Sequence, residues 1–357
     1  MSGLPQNEGS GLYSRGSGGP IGKLVRLFLR KGVFFVRTRA LVVLSLLALG
    51  ATFVAPASAS QLVNRDVRGI TLAVNGKGEA LVSYRTVRGS AQHVLVWGAV
   101  DARQPNAALK QVRFKLDYAG GWGKYRKQYW KTFPKSCGAY DGPALPWLVT
   151  ACKAPDGSYW ALQKWQVQLP NLGFTPWTAG LRQWELHISH WTTSVAKLEV
   201  WQDWVYSGRF HHLFGRYTYM GQPVHGFGST QYGAPTDGYG RLIYLDTHDS
   251  AYGSGWKREN SFLPHKPTGV FCYGFFKHNS GTGGYKHPPT FSGVRPMGNG
   301  DMYRMTAVGP GVTPDVMWTA QGLHDFNAGS ADDVAFEQAM NSQLDSILAG
   351  DKLCRQH

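Results

Sequence analysis

The chain has 357 residues, 43% of them apolar, and a formal net charge of +15. Such a composition excludes a disordered or low-complexity chain. Its 45 glycines, 17 tyrosines, 17 phenylalanines and 13 tryptophans favour strands and turns over helices.

Residues 1–59 differ in kind from the rest. A Gly/Ser-rich start runs to Gly22, and Lys23, Arg26, Arg30, Lys31, Arg37 and Arg39 follow. An apolar run from Ala40 to Val54 then leads to Ala57-Ser58-Ala59. A basic stretch, a short apolar core and an A-x-A site form the pattern of a secretory signal peptide. The run is about 15 residues, short of the roughly 20 that span a bilayer. Membrane contact is therefore expected only through this segment, where it stays uncleaved. No twin-Arg pair precedes it, which points to the general secretion route. The expected location is secreted or extracellular, with surface anchoring as the uncleaved alternative. Residues 1–59 hold seven of the 37 Lys/Arg and one of the 22 Asp/Glu, so residues 60–357 carry +9. A basic exported surface suits an anionic partner and equally serves solubility.

From residue 60 onward the predicted elements are nearly all strands. Ile70–Val74, a turn at Asn75-Gly76-Lys77-Gly78 and Ala80–Tyr84 form a hairpin. His93–Val100 and Gln111–Tyr118 are the next strands. Trp147–Cys152 and Ser158–Gln166 form a second hairpin around Pro155-Asp156-Gly157. Trp184–Trp191 and Lys197–Tyr206 are expected to form a third, and Phe214–Tyr219 with Val224–Phe227 a fourth. Leu242–Leu245, Val270–Phe276 and Met302–Val308 complete the strands, and residues 278–300 read as an irregular loop. One helix is expected over 331–349. Ser330 and Asp333 have capping-box spacing, and Phe336, Met340, Leu344 and Ile347 recur at helical spacing. The fold class is all-β, a sandwich or jelly-roll-like antiparallel architecture with one C-terminal helix. A division into two β subdomains near 172–180 is left open.

Cys137, Cys152, Cys272 and Cys354 all lie beyond the signal segment, where oxidising conditions make two disulfides. Of the three pairings, Cys137–Cys152 with Cys272–Cys354 closes one short loop and ties down the tail. No C-x-x-C spacing is present, so neither a thiolate metal site nor any cofactor is expected.

The chemistry-bearing residues fall in three places. In the third hairpin, pairing Trp191 with Lys197 would set Glu185 opposite Asp203 and His187 opposite Trp201, with Cβ atoms about 5 Å apart. Paired carboxylates beside an aromatic are what a glycan-cleaving hydrolase requires, so Glu185, Asp203 and His187 are the catalytic candidates and Trp201 a stacking platform. The same Glu185, His187 and Asp203 are alternative ligands for a hard cation. The run Trp122-Gly123-Lys124-Tyr125-Arg126-Lys127-Gln128-Tyr129-Trp130-Lys131 is the second place. Its Trp122, Tyr125 and Trp130 offer stacking faces and Arg126 a cation; otherwise it is an exposed strand. Trp256 and Arg258 mark the third, a polar loop. No G-x-S-x-G, H-E-x-x-H, P-loop or dinucleotide glycine pattern occurs, nor any dedicated nucleic-acid motif.

Three functional readings follow. The first is a secreted, non-enzymatic binding or surface protein whose ligand is an acidic or neutral glycan of the cell wall or extracellular space. The second is a hydrolase using Glu185 and Asp203, and the third a structural envelope protein.

Overall fold

The computed structural model describes residues 60–106, 109–167, 183–206, 210–224, 228–229, 235–236, 243–250, 253–258, 269–275, 285–286, 294–295, 300–322 and 326–348. The architecture is antiparallel, sandwich-like and all-β, closed by one long helix near the C-terminus.

Two four-stranded sheets enclose the first core. Sheet I runs β1-β8-β7-β6, from β1 (Gln61–Arg65), β8 (Gln183–Trp191), β7 (Tyr159–Val167) and β6 (Leu148–Lys153). Sheet II is the meander β2 (Arg68–Val74), β3 (Glu79–Arg85), β4 (Ala91–Trp97) and β5 (Lys115–Asp117). Period-2 alternation decides which face each residue takes. Val74, Ala80, Val82, Val94 and Val96 point inward to meet Trp160, Leu162, Leu186 and Ile188 of sheet I. Each large side chain buried this way contributes about 1.5–3 kcal/mol. The β2–β3 turn is set by Asn75, whose Oδ1 accepts from the backbone N–H of Lys77 (2.9 Å) and Glu79 (3.1 Å). Cys137 and Cys152 are bonded, with Cα atoms 5.7 Å apart.

The second core lies between two further sheets. In sheet III, β10 (Phe210–Tyr219) pairs with β9 (Lys197–Tyr206), β11 (Gln222–Pro223) and β16 (Val270–Phe275). Sheet IV runs β15-β14-β19-β20, from β15 (Gly253–Arg258), β14 (Ile243–Ser250), β19 (Met302–Ala307) and β20 (Val316–Gln321). Leu213, Tyr217 and Phe271 meet Leu245, Tyr303 and Met305 between them. Short pairs β12 (Gly228–Ser229) with β13 (Pro235–Thr236), and β17 (Tyr285–Lys286) with β18 (Val294–Arg295), complete the strands. The loop after β19 reaches into the first core, where Val312 is fully buried. It is tied there by His190 N–H to Val312 O (2.8 Å) and Val312 N–H to Asp101 O (3.2 Å).

Two helices bear on the sheets. Helix α1 (Trp122–Tyr125), followed by a 3-10 turn at Tyr129–Thr132, covers the outer face of sheet II. Helix α2 (Ala331–Leu348) sets Leu344, Ile347 and Leu348 on Phe214, Val270 and Cys272 of sheet III. Ser330 Oγ accepts from Asp333 N–H (3.3 Å), so the expected cap forms.

Five expectations need correction. Trp256 and Arg258 lie on strand β15 rather than in a loop, and residues 278–300 contain the paired strands β17 and β18. Strands β8 and β9 both form, but they do not pair: β8 lies between β1 and β7, and β9 pairs with β10. The chain leaves the first core after Trp191 and enters the second, so the third hairpin never closes. The run 122–131 is not a strand. Gly120 (φ 63°) and Gly121 (φ 101°) allow a turn there that L side chains rarely adopt, and two short helical turns follow. The strand expected over Gln111–Tyr118 is confined to Lys115–Asp117. Cys272 is disulfide-bonded; Cys354, its expected partner, lies outside the described residues, as do residues 1–59.

Candidate functional site

Among the described residues, the outer face of sheet II carries a packed cover with a cleft beside it. Alternation turns Ala73, Leu81 and Leu95 outward, and Tyr129 and Phe133 bury them. Tyr125, Tyr129 and Phe133 recur every fourth residue, so the two helical turns bring all three rings down onto the sheet.

Glu79 anchors this cover. Its carboxylate accepts from Lys124 Nζ (2.5 Å), Asn75 Nδ2 (2.7 Å) and Tyr125 Oη, and it is 1% exposed. Burial alone would raise its pKa, but the hydrogen bonds from Lys124, Tyr125 and Asn75 outweigh it and hold the carboxyl below its ordinary value. Lys124 Nζ also sits 4.5 Å from the Trp97 ring centre. Asp117 fixes the approach, accepting from Ala119 N–H at 2.9 Å. A Cβ on Gly120 would fall 2.6 Å from Trp130 Cδ1, so the indole packs directly on the glycine backbone.

Beside this cover opens a cleft of about 310 Å³. Thr71, Ser83 and His93 line its strand side, and Trp130, Lys131 and Lys135 its other wall. Ser83 and His93 are paired residues on β3 and β4, with Oγ and Nδ1 2.8 Å apart. The His93 ring lies flat on Trp130, centroids 4.1 Å apart and planes 5° from parallel. Burial holds the His93 pKa below its ordinary value, so the ring is neutral at pH 7. Lys131 Nζ is 5.5 Å from the Trp130 ring centre. The cleft thus joins apolar ring surface, neutral hydrogen-bonding groups and two ammonium groups.

A second constellation, spread across the sequence, is buried. His187 and Glu185 lie on β8, Asp315 just before β20, and Ser60 just before β1. Ser60 Oγ–H donates to Asp315 Oδ1 (2.5 Å). The protonated His187 Nδ1–H is shared between Ser60 Oγ (2.7 Å) and Asp315 Oδ2 (3.0 Å), while Nε2–H reaches Glu185 Oε2 (3.0 Å). Burial opposes the imidazolium, but Asp315 and then Glu185 outweigh it and push the pKa of His187 up to about 9. Trp165 Nε1–H (2.7 Å) and Gly309 N–H (2.9 Å) satisfy the remaining positions of Asp315. Ser60 and Asp315 are 0% exposed and His187 3%. These are the residue types of a Ser-His-Asp triad, but not its arrangement. Asp315 and Ser60 share Nδ1 while Glu185 takes Nε2, but the Ser60 hydroxyl donates to Asp315 rather than to the imidazole, where nucleophilic catalysis needs the base to take the hydroxyl proton, and no described cleft reaches the hydroxyl.

The other sequence candidates are dispersed. Glu185 pairs with Arg65 (2.7 Å) and His187, and its pKa falls because those bonds outweigh burial. Asp203 lies on β9 and so is not opposite Glu185. Trp201 stacks on Phe214 (5.5 Å) and packs into the cluster beneath α2. Trp256 and Trp147 cover Arg304, at 4.1 and 4.3 Å, whose Nε–H donates to Asp246 Oδ2 (2.8 Å). Arg258 ends β15; its side chain and that of Asp203 lie outside the described residues. Trp122 is 52% exposed, Arg126 is exposed, and Tyr125 is spent on Glu79. Among the described residues, His248, Asp249 and Asp301 offer three ligand atoms within 4.8 Å of one another. His248 Nδ1 already has Asp301 Oδ1 at 2.8 Å, and both carboxylates are solvent-exposed.

Sequence reasoning missed Ser83, His93, Lys135 and Glu79. Outward positions on two adjacent strands were legible, but the register that joins them was not. No family model, curated protein or solved structure matches the chain.

Proposed function

We propose that this is an exported, non-enzymatic glycan-binding protein whose binding surface is the sheet II cleft. The observation that supports the reading is the cleft's mixed chemistry. Stacked Trp130 and His93 give an aromatic wall for the C–H faces of a sugar ring. Ser83, Thr71 and His93 suit hydroxyl groups. Lys131 and Lys135 favour a glycan bearing carboxylate, sulfate or phosphate groups, as does the +9 charge of residues 60–357. The volume is at the small end for ligand sites, so one or two sugar units would fit. The Cys137–Cys152 bond and the segment 23–59 support export. Among the described residues no helix is long and apolar enough to cross a membrane.

The test is an array of neutral and acidic glycans probed with the exported protein at low and high salt. Binding should favour acidic glycans and weaken at high salt. Trp130→Ala should reduce affinity by about tenfold or more, corresponding to roughly 1.4 kcal/mol or more. The double variant Lys131→Ala/Lys135→Ala should abolish the preference for acidic ligands. An array on which the protein binds nothing would move the structural-envelope reading to first place. The hydrolase reading has lost the strand pairing on which it stood.

A further inference from the structure

At the far end of β14 the fold gathers three donor groups that the sheet II cleft does not use. We propose that His248, Asp249 and Asp301 form a binding site for a divalent metal ion of the zinc class, with Nδ1 of His248 and one oxygen of each carboxylate as its ligands. The proposal goes beyond the glycan reading and does not depend on it.

The backbone is shaped to bring these donors together. Consecutive strand residues point to opposite faces, so His248 and Asp249 would ordinarily diverge. A bulge interrupts the β14–β15 register between His248 and Ser250, and Asp249 takes a φ of 46°. A bulge of this kind re-aims a side chain. Asp249 Oδ1 accepts from Gly255 N–H (2.5 Å), while Oδ2 lies 3.4 Å from His248 Nδ1. Asp301 stands 53 positions beyond His248 in the sequence. Its N–H donates to His248 O (3.0 Å), and its own carbonyl accepts from Gly322 N–H (2.6 Å). Gly300 permits that approach, since a Cβ there would collide with His248 O.

The spacing suits one ion. Zinc bonds of about 2.0–2.2 Å at a tetrahedral angle set two donor atoms about 3.3–3.5 Å apart. His248 Nδ1 and Asp249 Oδ2 already have that separation. Asp301 Oδ1 is 2.8 Å from Nδ1 and needs to open by about half an ångström. All three ligand atoms lie within 4.8 Å of one another. The Nδ1 proton that Asp301 accepts moves to Nε2 when the metal binds, which leaves a lone pair on Nδ1. Trp256 holds the ring, edge to face at 5.1 Å. The imidazole nitrogen favours a borderline ion over Ca2+ and Mg2+, which take oxygen ligands. Three protein ligands leave a coordination position for water, and both carboxylates are exposed to it.

The charges agree with the spacing. Among the described residues, no Lys or Arg pairs with Asp249 or Asp301, and both carboxylates lean on the one imidazole. Arg304 of β19 is committed to Asp246 (2.8 Å), between the rings of Trp147 and Trp256. A bound dication supplies the positive charge that this pair of carboxylates lacks. It also clips the β14–β15 turn to the start of β19, so binding and folding are coupled.

The experiment uses the full exported chain, free of any affinity tag, stripped with a chelator and titrated with Zn2+, Ca2+ and Mg2+ by calorimetry. The tightest zinc site should saturate at one ion per chain, and Ca2+ and Mg2+ should bind about tenfold or more weakly. Asp249→Asn and Asp301→Asn keep the side-chain size, and circular dichroism checks that they fold. Each should weaken the zinc site by about tenfold or more. Zinc should raise the melting temperature of the parent and leave that of the double Asp→Asn variant unchanged. X-ray absorption of the zinc-loaded parent needs no variant, and it should show a single imidazole among nitrogen and oxygen ligands. Zinc affinity indifferent to both substitutions, a coordination shell with two or more imidazoles, Ca2+ binding as tight as zinc, or no zinc binding at all overturns the proposal.

Discussion

Glu79 shows how one residue can shape a surface it never reaches. It is buried, carries three side-chain donors, and fixes the segment whose far end forms the cleft wall. Glu79→Gln keeps the size but removes the charge that Lys124 and Tyr125 meet. The expected cost is about 2–3 kcal/mol, read as a lower denaturant midpoint. Glycan affinity should fall too, because Trp130 and Lys131 lose their support. Neither the burial of Glu79 nor its partners could be read from the sequence. Lys124 and Tyr125 are more than forty positions away, and only folding brings them together.

At the scale of elements, local pattern was a good guide and pairing a poor one. The β2–β3 and β6–β7 hairpins form where turn residues sit between alternating runs. Strands β8 and β9 looked like another hairpin for the same reason, but the five residues between them connect two cores instead. Helix α2 was legible because its cap and apolar spacing agree. Ser330→Ala should therefore cost about 1 kcal/mol, measurable as a small shift in thermal midpoint. The misread element was 122–131, whose alternative reading was an exposed strand; the fold instead uses the Tyr125, Tyr129, Phe133 spacing in two helical turns. The Cys137–Cys152 link spans 15 residues and should contribute about 3 kcal/mol in the chain-entropy account. The Cys137→Ser/Cys152→Ser variant should melt at a correspondingly lower temperature, and a reductant should lower the parent's melting temperature at least as far, because Cys272 is disulfide-bonded as well.

For the whole molecule, histidines of opposite character, His187 and His190 buried and His93 half-buried, shape the pH dependence of stability. His187 is held charged with its pKa raised to about 9. Its contribution is complete below the unfolded value near 6.5 and is lost as pH rises through about 9. His190 and His93 are held neutral, with pKa lowered by burial. Their contribution is present above about 6.5 and is lost as pH falls through their folded values. Urea midpoints across pH 5 to 9.5 should peak near 6.5. His187→Gln should lower the curve and remove its alkaline slope.

The position of β1 also sets an order of events. Its partner β8 lies more than 120 residues downstream, with Gln61 opposite Ile188 and Arg65 opposite Glu185. Sheet II, by contrast, is a local meander closed by Asp117. In a chain that emerges from its N-terminus, sheet II can assemble while β1 still waits with an unpaired edge, since local contacts carry the smaller loop-closure cost. Ser60 waits longer still, until Asp315 arrives. Strand β1, early in the sequence, is thus among the last elements to be fixed, and throughout that interval the molecule depends on its surroundings to keep that edge from a wrong partner.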